Sequence, residues 1–262
     1  MEIFSILIRN WALILRMTRR DVVGRYNGSM LGMFWSFFNP LVMLAAYSFV
    51  FGFIFKARWG VDTEQNFSVI LFTGLAFHGL LAECLTKAPV LISGNVNFVK
   101  KVVFPLEILA WSAVLNAVFH FLISLLILLL ALAVLERSVP ITWLYLPVVL
   151  TPLVFLCLGV SWLLSSIGVY IRDVGQVMGV FATLLLFLCP ILYPIDIVPE
   201  QYKTLIMLNP LSFIVEQARG ILVFGNNPDW QGLGLYTLAA FFFAQLSCVW
   251  FMKTRRGFAD VL

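Results

Sequence analysis

The sequence predicts an all-α integral membrane protein with six transmembrane helices. Two observations carry that prediction. Six windows contain no Asp, Glu, Lys or Arg: 26–55, 65–82, 108–135, 138–171, 174–195 and 230–252. Each is at or near the roughly 20 apolar residues that a helix needs to cross about 30 Å of hydrocarbon. The chain is also 62% hydrophobic and only 11% charged, where a soluble domain carries about 25% charged residues. A soluble fold could not hide six such segments, because a surface helix keeps a polar face. Six spans use nearly all of the 262 residues, so a nucleotide-driven motor is expected to be a separate subunit.

Residues 3–20 come first and are too charged to be the core of a secretory signal. At 100° per residue, Ser5, Arg9, Arg16 and Arg20 gather on one side, and Ile3, Leu7, Trp11 and Ile14 on the other. That pattern suits a helix lying in the headgroup plane with its arginines toward anionic lipid. It equally suits an amphipathic helix packed on protein. Gly24, Gly28 and Gly32 follow at intervals of four, which gives either a bare helical face or a turn.

The spans are then placed at about 33–55, 66–82, 107–135, 143–169, 175–194 and 231–252. Pro190 and Pro194 end the fifth, since proline cannot continue a helix without breaking its bonding. Residues 203–223 are apolar enough to pass for a seventh span, but Asn209-Pro210, Glu216 and Arg219 interrupt them. A broken or re-entrant pair of short helices fits that stretch, because irregular backbone at membrane depth is tolerated when protein or water covers it.

Charge sets the orientation. Residues 1–32, loop 83–107, the Arg172 turn and the tail after 252 carry twelve Lys and Arg, against five on the opposite side. The positive-inside rule therefore puts both termini in the cytoplasm of a multi-pass protein of the cell membrane. The net charge of +4 reports this basic inner face and does not call for nucleic acid.

The chemistry of an enzyme is missing from the sequence. There is no GxxxxGK[ST], HExxH or GxSxG motif, so no ATP site, metal site or catalytic residue is expected in this chain. Cys84, Cys157, Cys189 and Cys248 are widely spaced and read as small buried thiols. His78 and His120 fall in separate charge-free runs, which suits hydrogen bonds between helices. Spans without acidic residues also argue against a proton-coupled carrier, which needs ionisable groups at the midplane.

Loop 83–107 is long for so economical a chain and contains Asn95, Asn97 and Lys100-Lys101 before Phe104-Pro105. Such a loop is expected to make contacts. The plainer reading is a solvated linker whose lysines rest on anionic lipid.

The run Arg20-x4-Arg25-Tyr26-x2-Ser29-x-Leu31-Gly32-x2-Trp35-x4-Pro40 resembles the start of permease subunits of ABC-2 polysaccharide exporters. The likeness is closest to O-antigen export permeases, with capsule and teichoic acid permeases as relatives. Lys100-Lys101-x2-Phe104-Pro105, Arg172-Asp173-x2-Gln176 and Asn209-Pro210 extend it in order along the chain. The resemblance implies a homodimer of six-span subunits bound to two copies of an ATPase subunit, which would hold the ATP and Mg. It implies a substrate of the lipid-pyrophosphate-linked polysaccharide class, undecaprenyl being the expected lipid.

By the same resemblance the chain is one domain of the ABC-2 (type V exporter) fold. Residues 1–32 would be a cytoplasmic elbow helix and linker, 33–194 spans one to five, and 195–230 a re-entrant outer gate containing Asn209, Pro210, Glu216 and Arg219. Residues 231–252 would be span six and 253–262 a cytoplasmic tail. Residues 90–101 would be a coupling helix, and Arg20, Arg25, Tyr26, Asn95, Lys100, Lys101, Arg172 and Asp173 would contact the ATPase or lipid headgroups.

A sugar polymer needs a continuous, weakly adhesive path, and aromatic rings pack on the C–H faces of sugars without demanding particular hydroxyls. Tyr47, Phe51 and Phe55 recur every four residues in span one and so share a helix face. Phe181, Phe187 and Tyr193 add to them from span five. These six are the expected path residues. Packing against lipid or other helices is the competing use of such stripes.

Overall fold

A computed structural model describes residues 2–56, 59, 66–100, 104–136 and 139–262. Among these residues all regular structure is helical. The elements are α1 (Glu2–Gly24), α2 (Phe34–Tyr47), α3 (Phe67–Lys87), α4 (Val96–Val99), α5 (Ile108–Ala131), α6 (Leu146–Tyr170), α7 (Val174–Leu188), α8 (Glu200–Met207), α9 (Ser212–Leu222), α10 (Trp230–Thr254) and α11 (Phe258–Val261). Among the described residues five helical segments are long and apolar enough to span a membrane: Phe34–Ile54, Phe67–Val90, Ile108–Leu135, Ile141–Tyr170 and Trp230–Val261; the bent pair α8–α9 would make six if it counts as one span.

The expected fifth span is shorter than the rest. α7 has 15 residues, about 22 Å at 1.5 Å per residue, before Cys189 turns extended. Pro190 follows at once, which explains the early stop. α8 and α9 meet at 92°, the break that a bent span or a re-entrant loop would show.

Side-chain contacts fix which helix ends lie together. At the basic end, Arg255 pairs with Glu107 at 2.6 Å and the Tyr170 hydroxyl donates to the Thr254 carbonyl. At the far end, the Thr142 hydroxyl donates to the Ile221 carbonyl at 2.6 Å and Tyr145 packs edge-on against Trp230. α6 and α10 therefore run side by side in the same direction, antiparallel to α5.

Lipid tails are as apolar as leucine, so membrane helices associate through close packing and hydrogen bonds. A Cβ at Gly168 would lie 2.0 Å from the Pro89 carbonyl oxygen, so α6 meets the end of α3 backbone to backbone. Trp162 is fully buried and donates its indole N–H to the Glu107 carbonyl at 3.1 Å. His78 contacts the Ala182 carbonyl at 2.8 Å, joining α3 to α7 as expected of a helix-linking histidine. α3 is central, with 61% of its apolar window buried, whereas only 6% of the first span's is.

Three sequence expectations are refined. α1 kinks at Asn10 (φ −117°, ψ 17°), whose amide donates to the Ile6 carbonyl. The kink rotates the expected apolar side: Ile3 and Ile14 are fully buried, but Trp11 is 48% exposed. Arg9, Arg16 and Arg20 stay exposed, so α1 both packs on protein and presents a basic face. Gly28 (φ +83°) and Gly32 (φ +52°) settle the spaced glycines as turn formers.

The expected coupling helix at 90–101 is instead a series of short turns. Two 3₁₀ turns, Ala88–Val90 and Ser93–Asn95, precede α4. Pro89 and Gly94 account for the breaks, one by lacking an N–H and the other by its backbone freedom. Lys101 lies outside the described residues. The tail after Thr254 is folded: Phe258 is fully buried and packs on Phe251 and Tyr170.

Candidate functional site

Each end of the bundle carries a built polar site. At the basic end, the last turns of α1 meet the end of α3 and the start of α5. Arg20 donates through Nε and Nη2 to Asp21 Oδ1 at 3.0 and 2.7 Å, and Ser112 donates to Asp21 Oδ2 at 2.9 Å. The Arg20 guanidinium lies 5.5 Å from the Phe98 ring, which stacks on Phe104. Arg25 and Lys87 both reach Glu83 Oε1, at 2.8 and 2.5 Å. The Tyr26 hydroxyl sits 3.4 Å from His120 Nδ1.

Arg20, Asp21, Arg25, Lys87, Asn95 and Asn116 are among the residues lining a cleft of about 500 Å³ between these elements. Arg172 lines a second cleft of about 400 Å³, with Pro89, Ser93, Val96, Gly168 and the C-terminal Leu262. Lys100 and Asp173 are exposed. Sequence reasoning named Arg20, Arg25, Tyr26 and Asn95 but missed Glu83, Lys87 and Asn116. The spacing of Glu83 and Lys87, four apart on a helix, was the available signal.

At the far end everything converges on Arg219, which is fully buried on α9. Its Nη1 donates to Glu216 at 3.0 Å and to the Pro190 carbonyl. Nη2 donates to the Ile191 carbonyl at 2.8 Å, and Nε to the Ile70 carbonyl at 3.3 Å. The Trp59 ring covers the guanidinium at 4.2 Å, within cation–π range. Gly74 makes room, since a Cβ there would sit 2.9 Å from Nη2. One arginine thus ties α9 to α3 and to the turn after α7.

Asn209 and Pro210 form the corner between α8 and α9. Asn209 Oδ1 accepts from the Leu211 N–H at 2.9 Å, Ser212 donates to the Ile206 carbonyl at 2.7 Å, and Tyr236 donates to the Pro210 carbonyl. The four residues expected at the gate are therefore assembled in one region.

The expected path residues divide into two groups. Tyr47, Phe51 and Phe55 share a face, with ring centroids 6.4 and 5.9 Å apart. Residues Ser48–Ile54 are π-helical, and the Phe55 N–H bonds to the Val50 carbonyl five residues back. Phe51 packs on Phe67 at 5.3 Å, and Phe67 on Trp59 at 5.4 Å, so this face runs by ring contact to Arg219. Phe55 projects at 67% exposure, and Phe49 and Phe53 are exposed on the other side. Phe181 and Phe187 are exposed on α7, and the Tyr193 hydroxyl caps α7 by donating to the Phe187 carbonyl at 3.0 Å.

No group of three or more His, Cys, Asp or Glu that would hold a metal occurs among the described residues. The arrangement is that of a membrane bundle with a buried, many-bonded arginine at one end and a charged cleft at the other. Residues 12–223 match the family described as ABC-2 type transporter. The chain belongs to that family. Similar proteins include an O-antigen export system permease protein RfbA of Klebsiella pneumoniae, 28% identical over 95% of both chains. The RfbA permease of Myxococcus xanthus is 28% identical over 84% of both chains. The polysialic acid transport protein KpsM of Escherichia coli is 23% identical over 85% of this chain and 84% of its own. This ABC-2 protein is thus homologous to permeases that export polysaccharides, and it is a multi-pass membrane protein.

Proposed function

We propose that the chain is the membrane subunit of an ATP-driven exporter that moves a lipid-pyrophosphate-linked polysaccharide, of the O-antigen kind, out of the cytoplasm across a bacterial inner membrane. Two copies form the channel, and two copies of a separate ATPase subunit supply ATP hydrolysis with Mg. The basic end faces the cytoplasm, with both termini.

One observation carries this reading: the first span (Phe34–Ile54) and α7, which with the residues just after them carry the expected path rings, are the least covered of the apolar helices. Ser36 and Leu44 are the buried residues of α2, and Ala182 and Leu185 those of α7. The exposed Phe181 and Phe187 of α7 and Phe55 at the end of span one suit a second copy across a shared path, while Tyr47 and Phe51 back that path half-buried against the core. α3 links the two ends mechanically, since Glu83 and Lys87 lie at the basic cleft while Ile70 and Gly74 hold Arg219. A push from an ATPase on the turns after α3 reaches Arg219 through one helix.

The test is reconstitution of the chain with its partner ATPase in proteoliposomes loaded with lipid-linked polysaccharide on the ATPase-exposed side. ATP-dependent appearance of polymer on the other side supports the reading. Transport that needs a proton gradient and ignores ATP overturns it.

A further inference from the structure

We propose that the cleft between α1, α3 and α5 binds the phosphate of a membrane lipid, with Arg25 and Lys87 as its anion ligands and Asn116 at its floor. The depth of the cleft is the first argument. Arg25 is the last charge before the charge-free run of span one, and Glu83 is the first after that of span two. The cleft therefore opens where hydrocarbon ends and headgroups begin, and basic pockets between membrane helices at that level hold lipid phosphates.

Charge balance is the second argument. Glu83 is one carboxylate serving two cations, so the Arg25–Glu83–Lys87 cluster carries a net positive charge. Asp21 offers no relief, being occupied by Arg20 and Ser112. The Glu83 side chain is recessed at 16% exposure, whereas those of Arg25 and Lys87 stand out at 43% and 44%. Glu83 thus anchors both cations while leaving most of their N–H donors for an anion.

Asn116 lines the cleft, is 4% exposed, and has no hydrogen-bond partner for Oδ1. A buried amide left unpaired is costly. Its two ends are interchangeable by rotation, so it offers a donor to a phosphate oxygen or an acceptor to a neighbouring hydroxyl. About 500 Å³ holds a diphosphate with room to spare. The phosphate has two possible sources, a bilayer phospholipid or the diphosphate link of the cargo. The second source rests on the export reading above.

The full-length protein in phosphatidylcholine nanodiscs is titrated with ³²P-labelled undecaprenyl diphosphate and, separately, with labelled phosphatidylglycerol. The wild type retains at least one of the two lipids. The Arg25→Gln, Lys87→Gln double variant weakens that retention tenfold or more, at about fivefold for each cation removed. Glu83→Gln removes the competing carboxylate and tightens binding several-fold, a gain that a packing defect would not produce. Lys253→Gln, exposed on the same end, leaves binding unchanged. Retention of undecaprenyl diphosphate against excess phosphatidylglycerol assigns the phosphate to the cargo, and equal displacement assigns it to the bilayer. Binding of both lipids unaltered by the double variant, or weakened by Glu83→Gln, overturns the site. That result leaves the export reading standing, because the transport assay tests it separately.

Discussion

Arg219 shows most clearly how this fold tolerates a charge inside its apolar bundle. Removing a buried cation that has an ionic partner and several carbonyl acceptors costs about 3–5 kcal/mol. Arg219→Ala leaves the Ile70, Pro190 and Ile191 carbonyls and Glu216 without their donor. We expect a large drop in the melting temperature of the purified protein and new protease cleavage around the α8–α9 corner. A melting curve matching wild type would show that the carbonyls find other partners. Gly74→Ala approaches the same point from the opposite side. Its Cβ would lie 2.9 Å from Arg219 Nη2 and 3.0 Å from an Ile191 methyl, an overpacking worth about 1–3 kcal/mol. The substitution should lower the melting temperature less than Arg219→Ala does. Composition alone could not have found this pairing. Arg219 stood out in the sequence as a charge in an apolar stretch, but Gly74, Ile70 and Trp59 are 145, 149 and 160 positions away, and only the folded chain brings them to it.

At the scale of elements, the spans were legible because a helix crossing hydrocarbon must be apolar all round, which leaves a long unbroken signal. The shorter α7 and the broken turns after α3 were less legible. Pro190, Pro89 and Gly94 are visible in the sequence, but where a helix stops depends on what receives its last carbonyls. The π-helical end of span one was not legible at all, and it matters for the rings. Across these i→i+5 turns Tyr47, Phe51 and Phe55 stay on one face, each ring meeting the next. Phe49 and Phe53 likewise stack, at 5.9 Å, on the opposite side. Leucine substitutions separate the two faces. Near-volume apolar swaps usually cost under about 1.5 kcal/mol, so both sets of variants should insert and assemble. Export should fall in the Tyr47, Phe51, Phe55 triple variant and persist in the Phe49, Phe53 double variant. The reverse result would place the path on the other face, and normal export in both would make these rings packing residues.

For the whole molecule, the proposed ATP-driven reading assigns nucleotide hydrolysis to a partner subunit. The purified chain is expected to show no ATPase activity until the partner subunit is added. Nucleotide hydrolysis by the isolated chain, clear of contaminants, would contradict that expectation. The overall architecture and the family were readable from charge-free windows and from motifs in order along the chain. The cleft at the basic end was half readable: its arginines were flagged, but Glu83 and Asn116 join them through packing between helices distant in sequence. The proposed polymer path runs past Phe55 at the end of span one and the open face of α7. A photo-crosslinking residue at Phe55 or Phe187, both exposed, tests that placement in complexes arrested during export of labelled polymer. Crosslinks to polymer are predicted at both positions, with none at Leu238 or Leu246 on the exposed side of α10. Polymer crosslinks at Leu238 or Leu246, with lipid alone at Phe55 and Phe187, would contradict it.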